Sequence, residues 1–385
     1  MEKVIQKAIH KWCGIVLFVL LSMSVIAEDR YLGIPRTEIE LILDRGYNLE
    51  SSVPGLIDAM ISDYPESPLG LCLKAARLFR LDDYAEGSDE AIAKLFEEIS
   101  KDAIAASETY YQANPEDPAA RYTVAMCELN LARYYIDHGR WLGGFFKARS
   151  GMAHLNQLLK EYPDFHDAKM PLGVANCFLD KVPTYLKPIA RLLRFSGDME
   201  LGLQQLKDAE TKGFLTRHES LYYQVAIQWV LIEDREAAKV ILDRFVKRFP
   251  RNSNSLLLRA HLARQMEDFE MAFHLYESIL SMPEADYLKD IRDWVVWHSG
   301  NAALHLEDAE MALEKAEWVL DTVEEDRKEL RAWGFTLKGN ALVHIGKRDE
   351  AREAFSFVRK KDNAEAYNAV RETLEEMRRD EAGDQ

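Results

Sequence analysis

Cysteine is scarce in this chain: four among 385 residues, at positions 13, 72, 127 and 177. No two have C-x-x-C spacing, which argues against a zinc knuckle, and four are too few to build a disulfide framework. No H-E-x-x-H, G-x-S-x-G, glycine-rich phosphate loop or dinucleotide fingerprint occurs, so the common signatures of metalloprotease, serine hydrolase and nucleotide chemistry are missing. Cations are in deficit, with 49 Lys and Arg against 65 Asp and Glu for a net charge of −16. That balance lacks the basic face a nucleic acid partner requires. Val, Ile and Thr are not gathered into alternating runs, which argues against sheet, whereas Ala, Leu, Glu, Lys and Arg dominate and favour helix.

One apolar run stands out, Cys13 to Ile26, and it is short against the roughly 20 residues of a membrane span. Lys3, Lys7 and Lys11 precede it, and Val25 and Ala27 supply small residues before Glu28. The pattern predicts a secretory signal peptide over 1–27, with an uncleaved anchor as the alternative. The remaining Cys72, Cys127 and Cys177 each sit in apolar helical runs and read as buried small hydrophobes, although one pair could bridge in an oxidising compartment.

Four stretches carry a small residue followed twelve positions later by Ala, and then after four more by another residue that is usually large: Ala226/Ala238/Leu242, Ala260/Ala272/Tyr276, Gly300/Ala312/Ala316 and Gly339/Ala351/Phe355. Their leading residues lie 34, 40 and 39 positions apart, which predicts stacked helical hairpins. Tyr222, Ala226 and Trp229 are expected to face Ala238, Leu242 and Phe245 in the first of these. Pro65, Pro115, Pro163 and Pro250 each follow a helix end. Residues 28–36 read as an irregular lead-in, with Thr37 capping the first helix. Two stretches read as insertions, 138–147 and 181–195. Residues 363–385 read as a capping helix with Tyr367, Val370, Leu374 and Met377 on its inner stripe, followed by a frayed tail.

These residues resemble the tetratricopeptide repeat, whose consensus has a small residue at position 8, Ala at 20, an aromatic at 24 and Pro at 32. Tyr222, Ala226, Ala238 and Pro250 fit one repeat, and Gly339, Ala351 and Phe355 fit another. The resemblance is regular over 216–362 and looser over 28–215, and Trp at position 4 is absent. With Leu172-Gly173, a Pro-rich stretch from Pro183 to Phe195, Gly197-Asp198 and Gly202 to Leu206, the segment Pro171 to Gly213 also resembles secreted bacterial tetratricopeptide proteins. The resemblance implies an all-α, right-handed α-solenoid of hairpins with two insertions and a C-terminal cap, whose concave face holds another chain.

In that family, position 9 faces the groove, which singles out Asn301 and Asn340; each can pair with a peptide backbone or bond to a neighbouring helix. Members that clamp a C-terminal carboxylate carry Lys at position 5, where this chain has Trp297 and Thr336, so no such clamp is expected. Trp294, Trp297 and Trp333 could line an aromatic groove, or pack between adjacent hairpins. Trp141, Phe145, Tyr185, Lys187, Arg191 and Phe195 are candidates for a lid, and 181–195, basic and without an acid, for contact with a membrane surface. His138, His154 and His166 are too scattered for a metal, and Asp164 and Asp167 read as parts of an interhelical turn. The expectation is therefore an exported, non-catalytic scaffold for a protein or peptide in a bacterial periplasm or at the outer membrane, with no cofactor, metal, catalytic residue or nucleic acid partner. A small-molecule or lipid-binding module closed by the two insertions is the alternative.

Overall fold

The computed structural model describes residues 29–84, 90–181, 197–282 and 289–383. These form an array of antiparallel helices: α1 (Arg36–Tyr47), α2 (Val53–Asp63), α3 (Leu69–Tyr84), α4 (Glu90–Ala113), α5 (Pro118–Asp137), α6 (Trp141–Glu161), α7 (Lys169–Asp180), α8 (Met199–Lys212), α9 (Arg217–Ala226), α10 (Arg235–Arg248), α11 (Ser253–Gln265), α12 (Phe269–Leu280), α13 (Lys289–His305), α14 (Ala309–Thr322), α15 (Lys328–Ile345), α16 (Arg348–Ser356) and α17 (Ala364–Gly383). The leader and the segment 182–196 lie outside the described residues.

A short turn device repeats between paired helices. Glu233, Glu267 and Glu307 adopt left-handed backbone with φ of 64°, 60° and 63°. The Asp that follows each one caps the next helix, Asp234, Asp268 and Asp308 accepting from the N–H three residues on at 2.9, 3.1 and 3.0 Å. The first residue stops one helix and the second satisfies an orphan donor of the next. Gly346 takes the left-handed position in the last hairpin at φ 87°.

The small positions allow the hairpins to close. Ala238, Ala260, Ala272, Ala312 and Ala351 are fully buried. A Cβ at Gly339 would collide with the Cδ1–Cε1 edge of the Phe355 ring, and one at Gly300 would meet Leu337 Cδ2 and Lys315 Cβ at 2.8 Å. These are helix contacts that only a residue without a side chain permits.

Four expectations need correction. Residues 30–35 are not an irregular lead-in: Arg30–Tyr31 and Ile34–Pro35 pair as a minimal antiparallel hairpin, with Tyr31, Leu32 and Ile34 buried. Thr37 caps nothing, since α1 already begins at Arg36 without a side-chain cap. Tyr222 is 43 % exposed and Ala226 only half-buried, while Leu221, Val225 and Ile227 bury instead. Beyond Ala226 the helix widens into a π turn over Ile227–Ile232, which changes the register that even 3.6-residue periodicity implies. Finally, 138–147 is no insertion. His138–Arg140 is a tight turn with Gly139 at φ 73°, and Trp141 begins a regular helix. Gly143 and Gly144 serve packing there: a Cβ on Gly144 would strike Ile136 Cγ1 at 2.6 Å and the Ala132 carbonyl at 2.8 Å.

The N-terminal elements fold onto the middle of the array. Tyr47 stacks on Phe249 with centroids 5.2 Å apart, and its hydroxyl donates to Glu219 at 2.9 Å. Asn252 Nδ2 donates to the Tyr47 carbonyl at 2.6 Å. Arg36 lies 4.2 Å over the Phe214 ring. Asp167 is buried between these parts, and its Oδ1 accepts from Phe214 N, Thr216 N and Thr216 Oγ1, each at 2.9 Å. Its role as part of an interhelical turn agrees with the sequence reading, and its Oδ1 is fully engaged within the turn. At the other end, Asn363 Oδ1 caps α17 through Ala366 N at 2.8 Å, and Val370 and Met377 bury the cap's inner stripe.

Candidate partner-binding surface

Helices α11, α13 and α15 are the first members of three successive hairpins, and each leaves one face incompletely covered. On α13 that face is Ile291, Trp294, His298, Asn301 and His305, at the three- and four-residue steps of a helical stripe. His261 occupies on α11, and Asn340 on α15, the position of Asn301, one residue after Ala260 and Gly339.

The tryptophans meet across helices. Trp297 is buried, and its Nε1 donates to the Trp333 carbonyl at 3.0 Å. The Trp297 and Trp333 rings lie 5.2 Å apart, and Trp294 sits edge-on to Trp297 at 6.0 Å. All three join the core of Val296, Ala312, Val319 and Leu337. Trp297 is therefore not exposed along a groove: its indole N–H and much of its ring serve the α13–α15 contact. Trp294 and Trp333 remain half-buried.

The asparagines differ. Asn340 Oδ1 accepts from Thr373 Oγ1 of the cap at 3.3 Å, so it bonds to a neighbouring helix. Asn301 is half-exposed, and its side chain makes no hydrogen bond to another described residue.

Beside Trp297 lies a group that the sequence reading missed. His261 Nδ1 and Tyr276 Oη are 3.2 Å apart, His298 stacks on Tyr276 at 5.5 Å with rings 13° from parallel, and His261 and His298 are 4.8 Å apart. Burial, with Arg264 adding to it, lowers His261 to about 4; burial, His261 and Arg264 lower His298 to about 3. Both are neutral near pH 7, and buried His298 Nδ1 and Arg264 Nε have no partner among the described residues. The position-9 register that selected Asn301 and Asn340 also selects His261, so the signal was present. His298 lies outside that register. The resulting wall combines aromatic faces with neutral hydrogen-bonding groups and one cation.

The lid candidates do not gather here. Trp141 is 67 % exposed and Phe146 63 % exposed at the start of α6, with Phe145 half-buried beside them. Tyr185, Lys187, Arg191 and Phe195 lie outside the described residues.

The sequence model for Iml2/Tetratricopeptide repeat protein 39 matches residues 157–369, more than half of the chain. The chain belongs to this family. The match covers α11 to α15 whole, so the wall just described is built from tetratricopeptide-type hairpins, a helical-repeat scaffold of the kind that mediates protein interaction and is generally non-catalytic. The N-terminal helices α1 to α5 lie outside the matched span.

Proposed function

We propose that this tetratricopeptide protein is an exported, non-catalytic scaffold that holds a protein or peptide partner along the faces of α11, α13 and α15. The observation that carries the reading is the half-exposed stripe of Trp294, His298 and Asn301, flanked by His261 and Trp333 on the adjacent helices. Asn301 supplies an uncommitted donor and acceptor for a peptide backbone, and the aromatics supply contact area. Export, to a bacterial periplasm or the outer-membrane surface, rests on the leader-like Lys3/Lys7/Lys11, the apolar run and Ala27. The test compares Asn301→Ala and Trp294→Ala with wild type in crosslinked co-purification from the native source. A stoichiometric protein lost at least tenfold in the variants supports the scaffold. Wild type that carries no protein, but a lipid or small molecule by native mass spectrometry, overturns it in favour of a carrier.

A second reading is contact with an anionic membrane surface. Trp141, Leu142 and Phe146 are exposed together near Arg149, while Arg140 and Lys147 beside them pair with Glu97 and Glu128, and the stretch 181–195 is basic without one acid. Aromatic and cationic residues side by side suit the lipid interface. Sedimentation with phosphatidylglycerol vesicles that is lost in Trp141→Ser/Phe146→Ser supports it; equal binding by that variant removes it.

A further inference from the structure

Three helices converge on two thiols. Cys72 of α3 and Cys127 of α5 stand 55 residues apart in sequence, yet their Sγ atoms are 2.7 Å apart. Ser107 of α4 completes the group, its Oγ 3.5 Å from Cys72 Sγ and 3.9 Å from Cys127 Sγ while it donates to the Ala103 carbonyl at 2.7 Å. Both cysteines are free thiols in this structure. Their separation lies between a bonded pair, about 2.05 Å, and an ordinary contact of two sulfur atoms. Cys72 is partly accessible and Cys127 is 4 % exposed. Cys177 is remote: it is fully buried between α7 and α8, with Met199 O 3.8 Å from its Sγ.

We infer that Cys72 and Cys127 form an intramolecular disulfide that staples α3 to α5, with Cys177 left as a buried thiol. The oxidant is a small disulfide such as oxidised glutathione. The accessible Cys72, as thiolate, attacks one of its sulfurs, releases one glutathione thiolate and leaves a mixed disulfide on Cys72. Cys127 loses its proton and attacks the Cys72 sulfur, releasing the second glutathione thiolate. Two protein thiols are oxidised, one external disulfide is reduced to two thiols, and the two cysteine protons pass through solvent to the released thiolates. The odd set of three cysteines in the exported chain is thereby resolved into one bridge and one inert residue. The bridge closes a long loop of the unfolded chain and lowers its entropy.

Occurrence of the bridge in the cell depends on the export reading, because cytosolic thiols stay reduced; its formation in vitro does not. The purified, reduced full chain is incubated with oxidised glutathione, alkylated and mapped by mass spectrometry. The expected result is loss of two hydrogens, a crosslinked 72–127 peptide pair, and a melting temperature several degrees above that of the reduced protein. Cys177→Ser should behave as wild type, and Cys72→Ser should show neither crosslink nor shift. Persistent free thiols at 72 and 127, a stable glutathione adduct on Cys72, or pairing with Cys177 overturns the inference. Thiol trapping in intact cells separates the two readings: a chain that oxidises in vitro but is found reduced in the cell retains the bridge chemistry and contradicts export.

Discussion

Asp44 of α1 receives two hydrogen bonds from Arg248 of α10, at 2.9 and 3.0 Å, across 204 residues of sequence. The pair marks where the start of the chain returns to the middle of the array. Both side chains are about half exposed, so the pair itself contributes under about 1 kcal/mol. The adjacent aromatic contact carries more, because Tyr47 packs with Phe245, Phe249 and Leu221. Tyr47→Ala is expected to lose about 3 kcal/mol in urea unfolding, and Arg248→Ala under about 1 kcal/mol.

Gly339 faces Phe355 with no room for a methyl group. Gly339→Ala should cost about 1–3 kcal/mol, and Gly339→Ala/Phe355→Leu should recover part of the loss. A double-mutant cycle by chemical denaturation measures the coupling; simple additivity would contradict the packing account.

Asp167 satisfies two backbone donors and one hydroxyl at the turn before α9. Removing the carboxylate leaves those buried donors unpaired, so Asp167→Ala should cost on the order of 3 kcal/mol. Hydrogen exchange at Phe214 and Thr216 should accelerate well beyond that at α15 amides.

Stability should fall in mild acid. His261 is lowered to about 4 and His298 to about 3, in each case mainly by burial, and His218 likewise to about 4. Unfolded imidazoles titrate near pH 6.5. Above that value both states are neutral and stability is flat. Below it the unfolded chain binds protons that the folded chain excludes, so the histidine contribution falls from about pH 6.5 and is fully lost near 3; Glu97, held at about 2 by its hydrogen bonds from Arg140 and Lys101, adds a further loss below about pH 4.5. The slope is on the order of 1 kcal/mol per pH unit for each of His261 and His298. Melting temperature against pH checks this, and His298→Phe should flatten the curve.

The repeat spacing in the sequence was enough to locate the hairpins from Ala226 to Phe355, because a small residue at a helix crossing is a local and periodic requirement. It failed where burial depends on distant partners. Tyr31 and Ile34 look like loop residues until Phe214 and its neighbours cover them. Gly143-Gly144 reads as a break, yet both glycines lie in a helix that runs close to Tyr135 and Ile136. At the candidate surface, the sequence placed Trp294, Trp297, Trp333, Asn301 and Asn340 on related helix faces. It could not assign the Trp297 N–H to the Trp333 carbonyl or Asn340 to Thr373, since those pairings need the crossing geometry of three helices. The Glu-Asp turns at 233, 267 and 307 went unread, because their left-handed backbone is disfavoured for a side-chain-bearing residue and periodicity does not reveal it.

The most direct test of the scaffold reading places a photo-crosslinking amino acid at Asn301, and as a control at Val240, which is 60 % exposed on α10. The full-length protein is irradiated in its native compartment. The account predicts one saturable protein adduct at 301 and little or none at 240. No protein adduct at 301, or the same species in equal yield from both positions, would contradict it.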